Sequence, residues 1–181
     1  HGLHNLIHKA TEYKVLNKGN GTLVLSFTVE SQAPNAARIK GGTSSGKNSI
    51  EELTDRKFGS NDFKFITNQI WTVYPDGSIE LQSSITSNRS SLVLPRLGYV
   101  MKVPQQYSNF TYYGRGPVDN YADRKSGQFI EQYTNTVAGE FVNFPKPQDM
   151  GNHEDVRWCA LTNQAGNGAV FVATDRLSAS A

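Results

Sequence analysis

The sequence predicts an all-β domain built as stacked antiparallel sheets. Three observations lead there. Apolar and polar residues alternate with period two over residues 22–30. A β-rich run at 63–74 leads through Pro75-Asp76-Gly77 straight into another evenly spaced apolar run, which is the pattern of a hairpin. Helical spacing is brief wherever it occurs, and no internal repeat or linker-like break divides residues 1–181, so one domain is expected.

Each element has its own reason. Leu3, Leu6 and Ile7 fit a short helical turn or two at the N-terminus. In 22–30 the side chains of Leu23, Leu25, Phe27 and Val29 share one face, opposite Ser26, Thr28 and Glu30. Residues 31–62 are polar, rich in Gly, Ser, Asn and Lys, and read as a long surface excursion. In 63–74 Trp71 and Val73 share one face and Ile70 and Tyr74 the other, and Ile79, Leu81 and Ile85 continue beyond the turn. Further strands are expected at 92–103, 109–113, 141–143, 156–162 and 169–174. Pro95 places the first of these at an edge or bulge, 118–125 suits a short helical turn, and 163–168 is a hairpin loop.

A chain of 181 residues buries roughly 70% of its unfolded surface, enough for a core without disulfides or metals. Lys plus Arg is 18 against 16 Asp plus Glu, a formal +2, so no broad cationic field invites nucleic acid or an acidic membrane. No run of about 18 apolar residues exists to span a bilayer as a helix, and no signal-peptide pattern is seen at the start. One cysteine, Cys159, fits a cytoplasmic or periplasmic setting equally and reads as a small buried hydrophobe.

Several motifs are weak. Residues 41–48, Gly-Gly-Thr-Ser-Ser-Gly-Lys-Asn, nearly spell a phosphate-binding loop, but Asn48 stands where the chemistry needs a hydroxyl for Mg²⁺. His1, His4 and His8 would share a helical face, without a carboxylate or cysteine at ligand spacing. Sequons at Asn20, Asn88 and Asn109 carry no inference about location.

Two segments carry charge and special geometry. Asp149, Glu154 and Asp155 cluster beside His153 and Arg157; a glycosidase needs two carboxyls about 5 Å apart for retention, while a solvated corner or an Asp–Arg pair holding a loop needs only the charges. The run from Tyr112 to Gly127 holds two glycines and a proline at a strand exit. Asp119, Asn120 and Asp123 can cap the turn there, Arg115 and Arg124 offer planar donor forks, and Tyr113 and Tyr121 suit either a sugar face or a core.

The run Tyr113-Gly-Arg-Gly-Pro-Val-Asp-Asn-Tyr-Ala-Asp-Arg-Lys-Ser-Gly127 resembles the signature of the last domain of family 2 β-galactosidases, Gly-(Arg/Leu)-Gly-Pro-x-Glu-Asn-Tyr-x-Asp-Arg. Leu94-Pro95-Arg96-Leu97-Gly98, Pro147-Gln148-Asp149-x-Gly151 and Asp155-Val156-Arg157-Trp158 are similar to that family as well, and so is the stretch from Gly2 to Lys9. Asp119 and Asp149 depart from it by standing where the family usually has Glu.

The resemblance implies a galactose-mutarotase-like β-supersandwich, truncated at both ends, that sits behind a catalytic (β/α)₈ barrel. The barrel's glutamate pair would carry the retaining chemistry, so no catalytic residue is expected here. No cofactor is implied in this chain, since Mg or Na of full-length members would bind outside it. Implied partners are the other domains of the same polypeptide, a carbohydrate substrate met through the whole enzyme, and further copies in a homo-oligomer.

Candidates for sugar binding or a domain interface are Tyr113, Arg115, Asn120, Tyr121, Asp123, Arg124, Asp149, His153, Glu154 and Arg157. Two other functions compete: a stand-alone carbohydrate-binding sandwich, and a sugar epimerase using His153 with Glu154.

Overall fold

The computed structural model describes residues 3–40, 49–57, 59, 62–89, 94, 96–146 and 148–181. Among them the regular structure is ten strands and two short 3₁₀ turns. Every strand pair is antiparallel, as the period-two pattern requires. The chain divides into two compact units, His1–Leu97 and Gly98–Ala181.

The first unit holds strands β1 (Ile7–Asn17), β2 (Leu23–Gln32), β3 (Asn35–Lys40), β4 (Ser49–Lys57), β5 (Phe65–Val73) and β6 (Ile79–Ser87). Four of them make one sheet in the order β1-β2-β5-β6. Its register aligns Val15, Leu25, Trp71 and Leu81 in one row across all four strands, so the alternation read in 22–30 is continued by its neighbours. The β5–β6 hairpin closes as expected: Asp76 Oδ1 accepts from Ser78 N at 2.9 Å, and Gly77 takes the positive φ of 87°.

Three expectations for this unit are corrected. The N-terminal helical turns reduce to a 3₁₀ turn at Leu3–Asn5, after which the chain is the exposed edge strand β1. The histidine-bearing helical face therefore does not form. His8 lies on β1, with Nδ1 2.7 Å from Ser31 Oγ, and His1 lies outside the described residues. The polar stretch 31–62 contains the end of β2 and the β3–β4 pair, which form a two-stranded sheet of their own. A two-stranded ladder is held by backbone hydrogen bonds and needs no apolar period, so its sequence gives little sign of it. The near phosphate loop at 41–48 lies outside the described residues.

The second unit contains β7 (Asn109–Gly116), β8 (Phe129–Thr136), β9 (His153–Thr162) and β10 (Gly168–Ala179), in the order β10-β9-β7-β8. Phe110, Tyr112, Val156 and Cys159 form its core, with Tyr133, Val137, Leu161, Phe171 and Ala179 packed around them. Burial raises the Cys159 thiol above its ordinary value, in keeping with a packing role.

Here too the structure differs from the sequence reading. Residues 96–103 are irregular rather than strand, while Leu92, Val93 and Pro95 lie outside the described residues. Residues 118–125 form turns with a single Tyr121–Arg124 bridge instead of a helix. Residues 141–143 are irregular and follow a 3₁₀ turn at Val137–Glu140. The strand in this region is β8, an edge strand whose largely exposed side chains (Phe129 is 72% exposed) show no buried stripe.

The core-facing side of β7 is Phe110, Tyr112, Gly114 and Gly116. A Cβ on Gly114 would lie 2.8 Å from Val156 Cγ2 and 3.0 Å from its Cα; one on Gly116 would meet the Tyr112 hydroxyl and lie 2.6 Å from the Tyr133 ring. The two glycines thus let β9 and the Tyr112–Tyr133 pair close onto the strand. We expect Gly114→Ala and Gly116→Ala each to cost about 1–3 kcal/mol. Gly127→Ala, whose Cβ would meet nothing within 4 Å, should stay within about 0.5 kcal/mol. Urea unfolding of the three variants checks this.

Candidate functional site

The candidate residues gather where β7 leaves its sheet and where β9 enters it. After Gly116 the chain passes through a cis peptide to Pro117 and turns. The turn is held from within by Asn120, which has no solvent exposure. Its Nδ2 donates to the carbonyls of Arg115 and Val118 at 2.9 and 3.0 Å, and its Oδ1 accepts from Glu154 N at 2.9 Å. Its backbone exchanges two further bonds with Asn152: Asn120 N donates to Asn152 O at 2.7 Å, and Asn152 Nδ2 donates to Asn120 O at 2.8 Å. One buried amide therefore joins the end of β7, its turn and the start of β9, with every polar atom engaged.

Arg115 points away from the core side. Its Nε donates to Asp155 Oδ2 in a short ion pair, and its Nη1 donates to Gln128 O at 3.0 Å. Asp155 has φ of 54°, in the left-handed region uncommon for residues other than glycine. That conformation and the ion pair share one residue, so the backbone bends where the carboxylate is needed. Lys125 Nζ lies 3.6 Å from both Asp155 Oδ1 and Glu154 Oε2, and Arg176 Nη1 lies 3.9 Å from Asp155 Oδ1. The hydrogen bond from Arg115 holds the Asp155 carboxyl below its ordinary value, against the opposing effect of burial, and the charges of Lys125, Arg115 and Arg176 add to it.

Glu154 Oε1 accepts from Ser178 Oγ at 2.6 Å and from Asn152 Nδ2 at 3.0 Å. Arg157 Nη1 donates to Asp155 O at 2.5 Å, and its guanidinium lies 5.8 Å from the centre of the Tyr113 ring. Tyr113 is 38% exposed.

On the other side of the turn Arg124 grips Asp119 with both Nη atoms, at 3.4 and 3.2 Å, and sits over the rings of Tyr121 and Phe144. The Asp119 carboxylate is buried and has both oxygens on Arg124. Burial, then the charges of Asp119 and Asp149, raise the Tyr121 phenol. Asp123 and Asp149 lie on the exposed side.

His153 is buried completely, stacked on Tyr112 with centroids 4.0 Å apart. Its Nε2 is 2.6 Å from Glu140 Oε2. Sequence reasoning missed Glu140 because it precedes His153 by an irregular loop with no spacing rule. It also passed over Lys125, Asn152, Arg176 and Ser178 as partners, since only the fold brings them to Asp155, Glu154 and Asn120.

The arrangement joins two strand ends with complementary charges. Comparison with known proteins now decides the family. Residues 10–181 match the family described as "Beta galactosidase small chain". The chain belongs to the β-galactosidase small-chain family.

Characterised relatives agree. The chain is similar to the β-galactosidase of Priestia megaterium (33% identity over 98 residues, 54% of this chain and 10% of that protein). It is also similar to Beta-galactosidase BgaC of Bifidobacterium adolescentis (32% over 91 residues, 50% and 9%). The β-galactosidase of Kluyveromyces lactis is 31% identical over 112 residues, 60% of this chain and 11% of that protein. The match thus spans about a tenth of each relative's length.

Two variants test the small-chain corner. Asn120→Ala takes the side-chain partner from the Val118 carbonyl and the Glu154 N–H and leaves the Arg115 carbonyl with His153 alone, and should lose about 2–4 kcal/mol in urea unfolding. Asp155→Asn keeps a residue tolerant of the left-handed backbone and removes only the charge. A carboxyl lowered on folding stabilises above its unfolded value and ceases to do so as pH falls through its folded value. Thermal unfolding from pH 7 to pH 2 should therefore show the parent more stable than Asp155→Asn at neutral pH, with the gap closing below about pH 4.

Proposed function

We propose that this chain is a non-catalytic β-sandwich region of a β-galactosidase-type, retaining glycoside hydrolase. In this reading it packs against the catalytic barrel of the same polypeptide, and the whole enzyme hydrolyses terminal β-galactosides as a homo-oligomer. The observation that carries the reading is the engagement of the corner's charges with one another. Asp155 faces three cations, Glu154 accepts from Asn152 and Ser178 beside Lys125, and Asp119 is gripped by Arg124. A retaining glycosidase needs one carboxyl free to attack and another free to deliver a proton. Support of a neighbouring barrel needs rigidity instead, and no cofactor. No helix among the described residues is long and apolar enough to cross a membrane.

A second reading, sugar binding by this chain itself, is favoured by one observation: the half-exposed Tyr113 ring with Arg157 beside it offers a stacking surface and a donor fork. An epimerase using His153 finds no such support, since that ring is buried and its Nε2 faces Glu140.

The purified chain should leave nitrophenyl β-galactoside intact. A full-length enzyme carrying Arg115→Ala should inactivate at lower temperature, while kcat of the folded fraction stays within about threefold of the parent. Turnover by the chain alone, or loss of kcat without loss of stability, would refute the supporting role. Calorimetric titration of the chain with millimolar galactose and lactose decides the second reading, which no heat of binding would remove.

A further inference from the structure

Glu140 and His153 form a buried pair that the supporting role does not call on. Glu140 is 6% exposed and His153 not at all. His153 Nδ1 lies 3.1 Å from the Arg115 carbonyl, and Nε2 lies 2.6 Å from Glu140 Oε2. A backbone carbonyl only accepts, so Nδ1 carries hydrogen. In the neutral ring Nε2 would then be bare, and a bare nitrogen against an ionised carboxylate sets two lone pairs face to face. A contact of 2.6 Å therefore contains a hydrogen. The pair holds one proton more than a neutral histidine beside a carboxylate, and it is neutral overall whichever atom carries that proton.

We propose that this bridging proton is a lock built into the fold, holding the β7 corner closed and loosening it when the proton is lost. Losing it would leave a net negative charge in the core, and gaining a second would leave a net positive one; either is costly away from water. From β7 the pair faces the Tyr112 phenol, which burial and then the Glu140 charge raise above its ordinary value. The Tyr133 phenol of β8 lies behind Tyr112, with ring centroids 5.5 Å apart. Other neighbours among the described residues do not ionise: the Phe110 ring, the Arg115 carbonyl, Ala179 of β10, which pairs with His153, Gly151 beside Glu140, and Asn135 of β8, whose Nδ2 donates to Glu140 Oε1 at 2.7 Å. The corner depends on the lock because the Arg115 carbonyl that His153 holds is the same one that Asn120 holds.

Above about pH 7.5 an unfolded chain keeps almost no extra proton on this pair, so folding must take one up. The folding equilibrium constant then falls about tenfold per pH unit. Glu140→Gln supplies the separating variant, because its amide can donate to Nε2 without an added proton. Between about pH 7.5 and about pH 9 the folding constant of the parent should fall about tenfold per unit relative to that of Glu140→Gln; parallel profiles would overturn the lock. Long-range ¹H–¹⁵N spectra of the unmodified chain at neutral pH decide the matter even if the variant does not fold, with the His153 signals assigned by comparison with His153→Gln. Hydrogen on Nδ1 is expected. A bare Nδ1 would overturn the proposal.

Discussion

The second unit depends on how the end of β7 satisfies its backbone polar groups where its pairing with β9 stops. Arg115 still pairs with Ile130 of β8, but the β7–β9 pairing stops at Tyr113, and the Arg115 carbonyl meets two side-chain donors instead: Asn120 Nδ2 and His153 Nδ1. Both side chains are fully buried, so water cannot replace them. The approach is close because Gly114 and Gly116 present no Cβ to Val156, Tyr112 and Tyr133. Small residues on the core side and buried polar residues at the turn are thus one solution to one problem: strand β7 ends inside the protein rather than at its surface.

The charges outside this corner follow from the same constraint. With the Arg115 backbone fixed by its carbonyl, its side chain is delivered to Asp155, at the point where β9 bends into the left-handed region. The Arg115–Asp155 pair is partly exposed, at 26% and 13% for the two side chains, and a pair in such a setting contributes modestly by itself. Its value is positional. Lys125 and Arg176 surround the same carboxylate from the turn and from β10, so one acidic group joins three separate stretches of chain.

Much of the fold was legible because period-two alternation reports directly on extended strands. Residues 22–30 and the 63–87 hairpin were read nearly to their ends for that reason. The strands that escaped, β1 and β8, lie at sheet edges, and β1 is exposed along its whole length; an edge strand needs no clean apolar stripe. The β3–β4 pair escaped for a related reason, since its polar sequence carries no apolar period. At the candidate site, dense special-geometry residues marked the corner, and Asp155 and Arg157 were noticed as neighbours of His153. The partner of that histidine was invisible. Glu140 reaches it through an irregular loop, and a glutamate after Val137-Ala138-Gly139 carries no sign of burial.

The distribution of polar groups also favours the proposed supporting role. A catalytic carboxylate works because its surroundings leave it poised, with a proton to give or a lone pair to use. In this corner the surroundings do the reverse. Arg115 and Lys125 hold Asp155 ionised, Asn152, Ser178 and Lys125 surround Glu154, and Arg124 takes both oxygens of Asp119. Each interaction lowers reactivity and raises rigidity. The Tyr113 ring stays accessible, with the Arg157 guanidinium at its side. A rigid frame with a small aromatic and cationic face suits contact with a neighbouring surface, which is what the proposed supporting role asks of it.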